Sequence, residues 1–227
     1  MEVSPITEED LKELEKYNGI TQENIKEGYT RISDTYEHML ADVLGYPDPQ
    51  KTLESIIKYE IPKDAAILDF GCGTGLAGDF LSKAGYTNIT GIDVCPDMLA
   101  KAEGRGYKEL REVFLCKNEF PEDLQGKFDV AISVGLLSHF LSPDVFYEKI
   151  SCLKPKESED DKRYIIFTTR EESMENFGYN AKLDELEKEG KMTLVERYQL
   201  KRYQNLDGQD NVGEMKSLTA CCCVYTI

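Results

Sequence analysis

The sequence predicts an α/β fold, a seven-stranded and mostly parallel sheet with helices on both faces. Three observations lead there. From Asp64 onward, short apolar runs alternate with helical segments. The runs are continuously apolar, as strands covered on both faces must be, instead of alternating with polar residues. A glycine-rich turn joins the first run to the helix that follows, the connection expected of a strand–helix unit.

Residues 1–60 read as helical. Thr7-Glu8-Glu9-Asp10 resembles a capping box opening a helix through Tyr17, with Asn18-Gly19 as its stop. A second helical region is expected over Thr21–Leu44, ended by Gly45 and the Pro47/Pro49 pair, and a third over Gln50–Glu60, stopped by Pro62. The expected strands are Ala65–Phe70, Ile89–Asp93, Glu112–Cys116, Phe128–Val134 and Tyr164–Thr169. Between them the pattern places helices at Leu76–Lys83, Pro96–Arg105 and Ser142–Leu153, with a weak one near Pro121–Leu124. After a helix at Ala181–Glu189, the stretches Met192–Tyr203 and Lys216–Ile227 read as two long strands. Asn205-Leu206-Asp207-Gly208 is the expected joint of an antiparallel C-terminal hairpin. The whole chain, 1–227, is expected to be one domain, with 1–60 a helical cap and 64–227 the sheet-bearing core.

Composition narrows the function. The 227 residues carry 27 Lys and Arg against 43 Asp and Glu, a formal charge of −16, and 41% are hydrophobic. That is too apolar for a disordered acidic tail, and no apolar run approaches the roughly 20 residues of a membrane span. The N-terminus shows neither a basic nor an apolar leader region, so a cytoplasmic protein is expected. A surface this negative disfavours nucleic acid as a partner. Half of the charge, −8, belongs to residues 1–60, where 14 acids face 6 bases. An acidic rim there leans toward a cationic amine as substrate. The seven cysteines include the consecutive Cys221, Cys222 and Cys223, which read as small apolar residues of a buried strand; no C-x-x-C pair suggests a metal.

The strongest motif is Ile67-Leu68-Asp69-Phe70-Gly71-Cys72-Gly73-Thr74-Gly75, running from a strand into the helix that begins at Leu76. Glycines let backbone approach a ligand, and a helix N-terminus offers N–H groups. Asp93 ends the next strand, where a carboxylate can accept hydrogen bonds from two ribose hydroxyls. Gly73, Gly75 and Gly78 also satisfy G-x-G-x-x-G, so an NAD-dependent oxidoreductase is one alternative. Asp69 speaks against it, because a carboxylate at the strand tip repels a pyrophosphate and attracts the ammonium of a bound amino acid. S-adenosyl-L-methionine has the ribose and the ammonium and lacks the phosphates.

The run Ile67–Gly75, followed by Gly91-Ile92-Asp93 and Phe128-Asp129-Val130, resembles the class I S-adenosylmethionine-dependent methyltransferases. Gly91–Leu99 and Ser133–His139 are similar to the methyltransferase-like proteins of the Williams–Beuren region group, and the likeness covers about residues 25–205. It implies a Rossmann-like core and makes the N-terminal segment a lid over the cofactor. Tyr29-Thr30-Arg31-Ile32-Ser33-Asp34-Thr35-Tyr36-Glu37 is similar to the family's lid motif Y-D-x-x-A-x-x-Y-D, departing at Thr30, Ser33 and Glu37. Tyr29 and Tyr36 are therefore expected at the cofactor. The family's adenine-reading acid has no counterpart in Cys116-Lys117-Asn118-Glu119, leaving Asn118 or Glu119 for that contact.

The expected cofactor-binding set is thus Tyr29, Tyr36, Asp69, Gly71, Cys72, Gly73, Gly75, Leu76 and Asp93, with Val94 and Met98 against the adenine face and Asn118 or Glu119 at its amino group. Ser133, Val134 and Gly135 should lie beneath the sulfonium, at the carboxyl end of the fourth strand. His139 is the candidate base or acceptor-binding residue and Tyr29 a second candidate catalytic residue, while His38 reads as a helix-surface residue. No [DNS]-P-P-[YFW] motif follows the fourth strand, and no basic stripe marks a nucleic-acid path. The expected acceptor is a small molecule, with a protein side chain as the second choice. A catalytically silent cofactor-binding partner protein is the other alternative.

Overall fold

A computed structural model describes residues 5–116, 120–158, 161–207 and 212–227. Its strands are β1 (Ile67–Phe70), β2 (Ile89–Asp93), β3 (Glu109–Glu112), β4 (Val130–Val134), β5 (Tyr164–Arg170), β6 (Thr193–Lys201) and β7 (Thr219–Thr226). They form one sheet in the order β3-β2-β1-β4-β5-β7-β6. The first five are parallel, and β7 inserts antiparallel between β5 and β6. The seven-stranded, mostly parallel sheet expected from the pattern is therefore the sheet observed.

The helices are α1 (Glu8–Glu15), α2 (Ile25–Ile32), α3 (Asp48–Lys58), α4 (Leu76–Lys83), α5 (Pro96–Ala102), α6 (Pro143–Lys149), α7 (Glu171–Asn176) and α8 (Tyr179–Lys188). Side-chain alternation along the strands feeds two cores. Leu68, Ala131, Ile165 and Phe167 pack with Phe146 of α6 and Leu183 and Leu186 of α8. Ile67, Val130, Ile132 and Ile166 pack on the other face with Ile56 of α3 and Leu81 of α4. The cysteine triplet obeys the same rule, Cys221 and Cys223 entering the first core and Cys222 the second. The capping box is present as read: Thr7 accepts from the Asp10 amide, and the Asp10 carboxylate accepts from the Thr7 amide.

Four details differ from the sequence reading. The third strand lies earlier than Glu112–Cys116, because the polar segment Glu109–Glu112 makes the parallel ladder with β2. An edge strand tolerates polar side chains, and the apolar residues after it line a cavity instead. The expected helix over Thr21–Leu44 breaks after Ile32 and resumes as a π-helical turn, His38–Val43, in which the Leu44 amide donates to the Met39 carbonyl at 2.9 Å. The C-terminal joint is no tight turn: Lys201 pairs with Thr219, so the connection runs through 202–218. Helix α7 was not anticipated; its six residues are too few for a periodicity to register. Among the described residues, no helix is long and apolar enough to cross a membrane.

Candidate active site at the carboxyl ends of the strands

Strand β1 delivers Asp69 to the face opposite Leu68 and Phe70, and the chain then turns sharply. Gly71, Gly73 and Gly75 have φ of +67°, +55° and +88°, left-handed values that a side chain would strain. The turn is stitched to β2: the Gly71 and Cys72 amides donate to the Ile92 carbonyl at 2.8 and 3.0 Å, and the Gly73 amide donates to Asp93 Oδ2 at 2.9 Å. Asp93 Oδ1 accepts from the Cys95 amide at 2.9 Å. Asp93 is thus oriented by two backbone donors, and a carboxylate has acceptor capacity beyond two bonds. Burial raises its pKa, while the amides of Cys95 and Gly73 work the other way.

Tyr107 was not singled out from sequence, yet it organises this corner. Its hydroxyl donates to Asp69 Oδ2 at 2.6 Å and accepts from the Gly78 amide at 3.1 Å. A Cβ at Gly78 would sit 2.2 Å from the Tyr107 ring, and one at Gly91 would sit 2.8 Å away. The third glycine of the apparent G-x-G-x-x-G therefore makes room for a tyrosine. The helix N-terminus that a pyrophosphate would use is occupied by that hydroxyl, backed by a carboxylate. This geometry disfavours the dinucleotide alternative. Asp69 is pushed up to about 7 by burial, with Tyr107 opposing the shift and Asp93 adding to it. Its Oδ1 is buried without a hydrogen-bond partner.

A cavity opens above the turn. Asp93, Gly71 and Gly73 form one edge; Val94, Met98, Val113, Phe114, Leu115 and Cys116 form an apolar wall; Val134 and Gly135 complete the floor. Tyr29 and Tyr36 close it from the N-terminal segment, their rings packed edge to face at 6.1 Å. A smaller annex brings in Asp69, Cys72, Thr74 and Leu76. The residues fit a nucleoside joined to a cationic amino acid. The apolar wall suits a flat base, Asp93 a ribose, and the unpartnered oxygen of buried Asp69 an ammonium. Burial holds the Cys72 thiol well above its usual range, so it serves as a packed apolar group. Ser133 does not reach any of these cavities; its hydroxyl is buried without a partner inside the sheet. Asn118 and Glu119 lie outside the described residues.

A wider cleft adjoins this cavity and shares Tyr29, Tyr36, Gly135, Leu136 and Phe140 with it. His139 stands exposed on its rim, its ring 4.0 Å from Phe140 and 5.7 Å from Phe177, and no hydrogen bond orients the imidazole among the described residues. Tyr29 is pushed up to about 12 by burial and then by Asp93. At neutral pH it is a hydrogen-bond donor and not a base. His38 lies on the surface beside Asp42, as expected, with its Nδ1 3.0 Å from the carboxylate.

The charge of the cleft departs from the expectation. Arg170 and Arg202 line it, and among the described residues no Asp or Glu does. The acidic residues described within 1–60 point elsewhere: most are exposed, and the buried one, Asp48, pairs with Arg202 at 2.6 Å. Several tie the N-terminal segment to the core. Asp34 meets Lys101 at 2.9 Å and Glu37 meets Arg105 at 2.6 Å, while Lys26 reaches Glu112 at 2.6 Å and the Thr30 hydroxyl donates to Asp97 at 2.6 Å. An acidic rim attracting an amine is not what this lining presents.

Residues 67–156 match the family model described as "Methyltransferase domain". The chain is similar to methyltransferase-like protein 27 of Homo sapiens, 31% identical over 169 residues, which are 71% of this chain and 65% of that protein. It is also similar to EEF1A lysine methyltransferase 2 of Homo sapiens, 48% identical over 97 residues, 40% of this chain and 41% of that one. The chain thus spans less than two thirds of these curated relatives. Among solved structures, the N-methyltransferase NodS of Bradyrhizobium japonicum WM9 in complex with S-adenosyl-l-homocysteine superposes with a TM-score of 0.62 at 14% identity, covering 89% of this chain and 98% of that one. The resemblance read from the motif residues and the fold read from the strand pattern are both borne out.

Proposed function

We propose that this chain, in which residues 67–156 match a methyltransferase-domain model and whose fold is that of a solved N-methyltransferase, is an S-adenosylmethionine-dependent enzyme methylating a nitrogen or oxygen of a small molecule. The observation that supports this most is the junction of two cavities: Tyr29, Tyr36 and Gly135 belong both to the candidate cofactor cavity and to the cleft beside it. When bound, S-adenosylmethionine supplies a methyl group on a positively charged sulfur, which passes to the acceptor's lone pair as the carbon–sulfur bond breaks.

The chain's own residues align and exclude water. Asp93 and the Gly71–Gly75 turn fix the nucleoside and amino-acid ends, and Asp69 takes the ammonium. Tyr29 and Tyr36 cover the reacting face, so that alignment and desolvation supply much of the acceleration. Val134 and Gly135 form the floor beneath. His139, at the rim, is placed to take a proton from the acceptor through solvent. A cytoplasmic setting belongs to this proposal, in keeping with seven free thiols, two of them, Cys221 and Cys223, only 3.8 Å apart.

The test is transfer of labelled methyl from S-adenosylmethionine into fractionated cell extract. Label in the low-mass fraction, lost with Asp93→Ala, is expected. Label appearing only in protein or RNA would overturn the small-molecule assignment. Cofactor binding with no transfer to any fraction would favour the silent partner protein.

A further inference from the structure

Given that reading of the two cavities, we propose that the methyl acceptor carries an oxyanion, a carboxylate in the first instance, and that Arg170 grips it with Arg202 alongside. Within a chain of charge −16, the cleft that would receive the acceptor is lined, among the described residues, by two guanidinium groups and by no carboxylate. Such a segregation of charge is what an anionic ligand requires.

The two arginines differ in what they offer. Arg202 is buried and committed: Nη1 donates to Asp48 Oδ2 at 2.6 Å, and its guanidinium lies 4.6 Å from the centre of the Tyr46 ring. Its Nε has no hydrogen-bond partner, and neither has the buried hydroxyl of Tyr17 in the same lining. Arg170 is half-buried at the end of β5, and its guanidinium has no ion-pair or hydrogen-bond partner among the described residues. The Arg202–Asp48 pair is neutral overall, so the uncompensated positive charge of the cleft belongs to Arg170. A planar guanidinium matches a carboxylate with two parallel hydrogen bonds, which an ammonium cannot do. Both arginines act on the hydroxyl of Tyr29, countering part of its upward shift. Tyr29 also borders the cofactor cavity, so an anion held there sits beside the reacting centre.

The test uses the full chain saturated with S-adenosylhomocysteine and titrated calorimetrically with four probes of similar shape: benzoate, benzamide, phenyl phosphate and benzylamine. Saturable binding of benzoate, with benzamide much weaker and benzylamine absent, is the expected result. Arg170→Gln should weaken benzoate by about tenfold or more, and Arg170→Lys by less. S-adenosylhomocysteine should bind all three proteins alike, because Arg170 lies outside the cofactor cavity. Phenyl phosphate binding tighter than benzoate would support the oxyanion site and assign it to a phosphate. The proposal is overturned if benzylamine binds as well as benzoate, if no anion binds, or if Arg170→Gln leaves benzoate unchanged. Failure of S-adenosylhomocysteine itself to bind would remove the underlying functional reading, a separate and visible outcome.

Discussion

Asp69 is held in an apolar corner with one oxygen on Tyr107 and the other unpaired. Its pKa rises from an ordinary 3.8 to about 7. In the ligand-free chain the folded state keeps a proton that the unfolded chain has lost, so this group's contribution to stability is lost as the pH rises from 3.8 to about 7. An ammonium-bearing ligand reverses the preference by pairing with the ionised form. Affinity for S-adenosylhomocysteine should therefore strengthen as the pH rises, by up to about tenfold per unit on the acid side of 7. Calorimetry across that range checks it. Asp69→Asn should flatten the dependence, Tyr107→Phe should move its midpoint upward, and 5′-methylthioadenosine, lacking the ammonium, should not show it. A flat profile for the unaltered protein would remove Asp69 from the ammonium site. Asp69 and Asp93 were legible in the sequence because they sit inside a local pattern of strand, glycine turn and helix. Tyr107, Arg170 and Arg202 were not, since each reaches the site through topology, from another strand end. Of the expected trio Ser133, Val134 and Gly135, the last two line the cavity and Ser133 does not.

At the scale of elements, the sheet was readable and its edges were not. Apolar runs locate central strands because burial on both faces demands them. At the edge, the correlation inverted: polar Glu109–Glu112 became β3, while the apolar Val113–Cys116 became cavity wall. The N-terminal segment was legible as helices, but its break after Ile32 was not. Tyr29 and Tyr36 reach one cavity through that break and not along one helical face. The segment is tied down by two exposed ion pairs, Lys26–Glu112 and Asp34–Lys101, and a half-buried one, Glu37–Arg105. Each is weak alone and screened by salt. Replacing Lys26, Lys101 and Arg105 together by Gln should speed the dissociation of S-adenosylhomocysteine a few-fold and make the rate nearly independent of salt. Stopped-flow displacement at low and high ionic strength measures this. A dissociation rate unchanged in the triple variant would show that apolar packing by Ile25, Ile32 and Met98 holds the lid without them.

Across the whole molecule, the charge of −16 is arranged by place. The acids crowd the outer surface and the lid contacts, while the cleft beside the cofactor cavity presents arginine. Net charge read from composition pointed to a cationic substrate; the lining of the cleft points to an anion, because a fold distributes charge as composition cannot record. The proposed function depends most on one cavity built from Asp93, the Gly71–Gly75 turn and the two lid tyrosines, whose lining fits a nucleoside linked to an amino acid. Calorimetric titration with S-adenosylhomocysteine and, separately, with NADH addresses that directly. The account predicts one S-adenosylhomocysteine per chain, weakened by about 1.5–3 kcal/mol in Asp93→Ala through loss of charged hydrogen bonds to the ribose, and no saturable binding of NADH. Saturable NADH binding without affinity for S-adenosylhomocysteine, or an Asp93→Ala variant that binds as tightly as the unaltered chain, would contradict it.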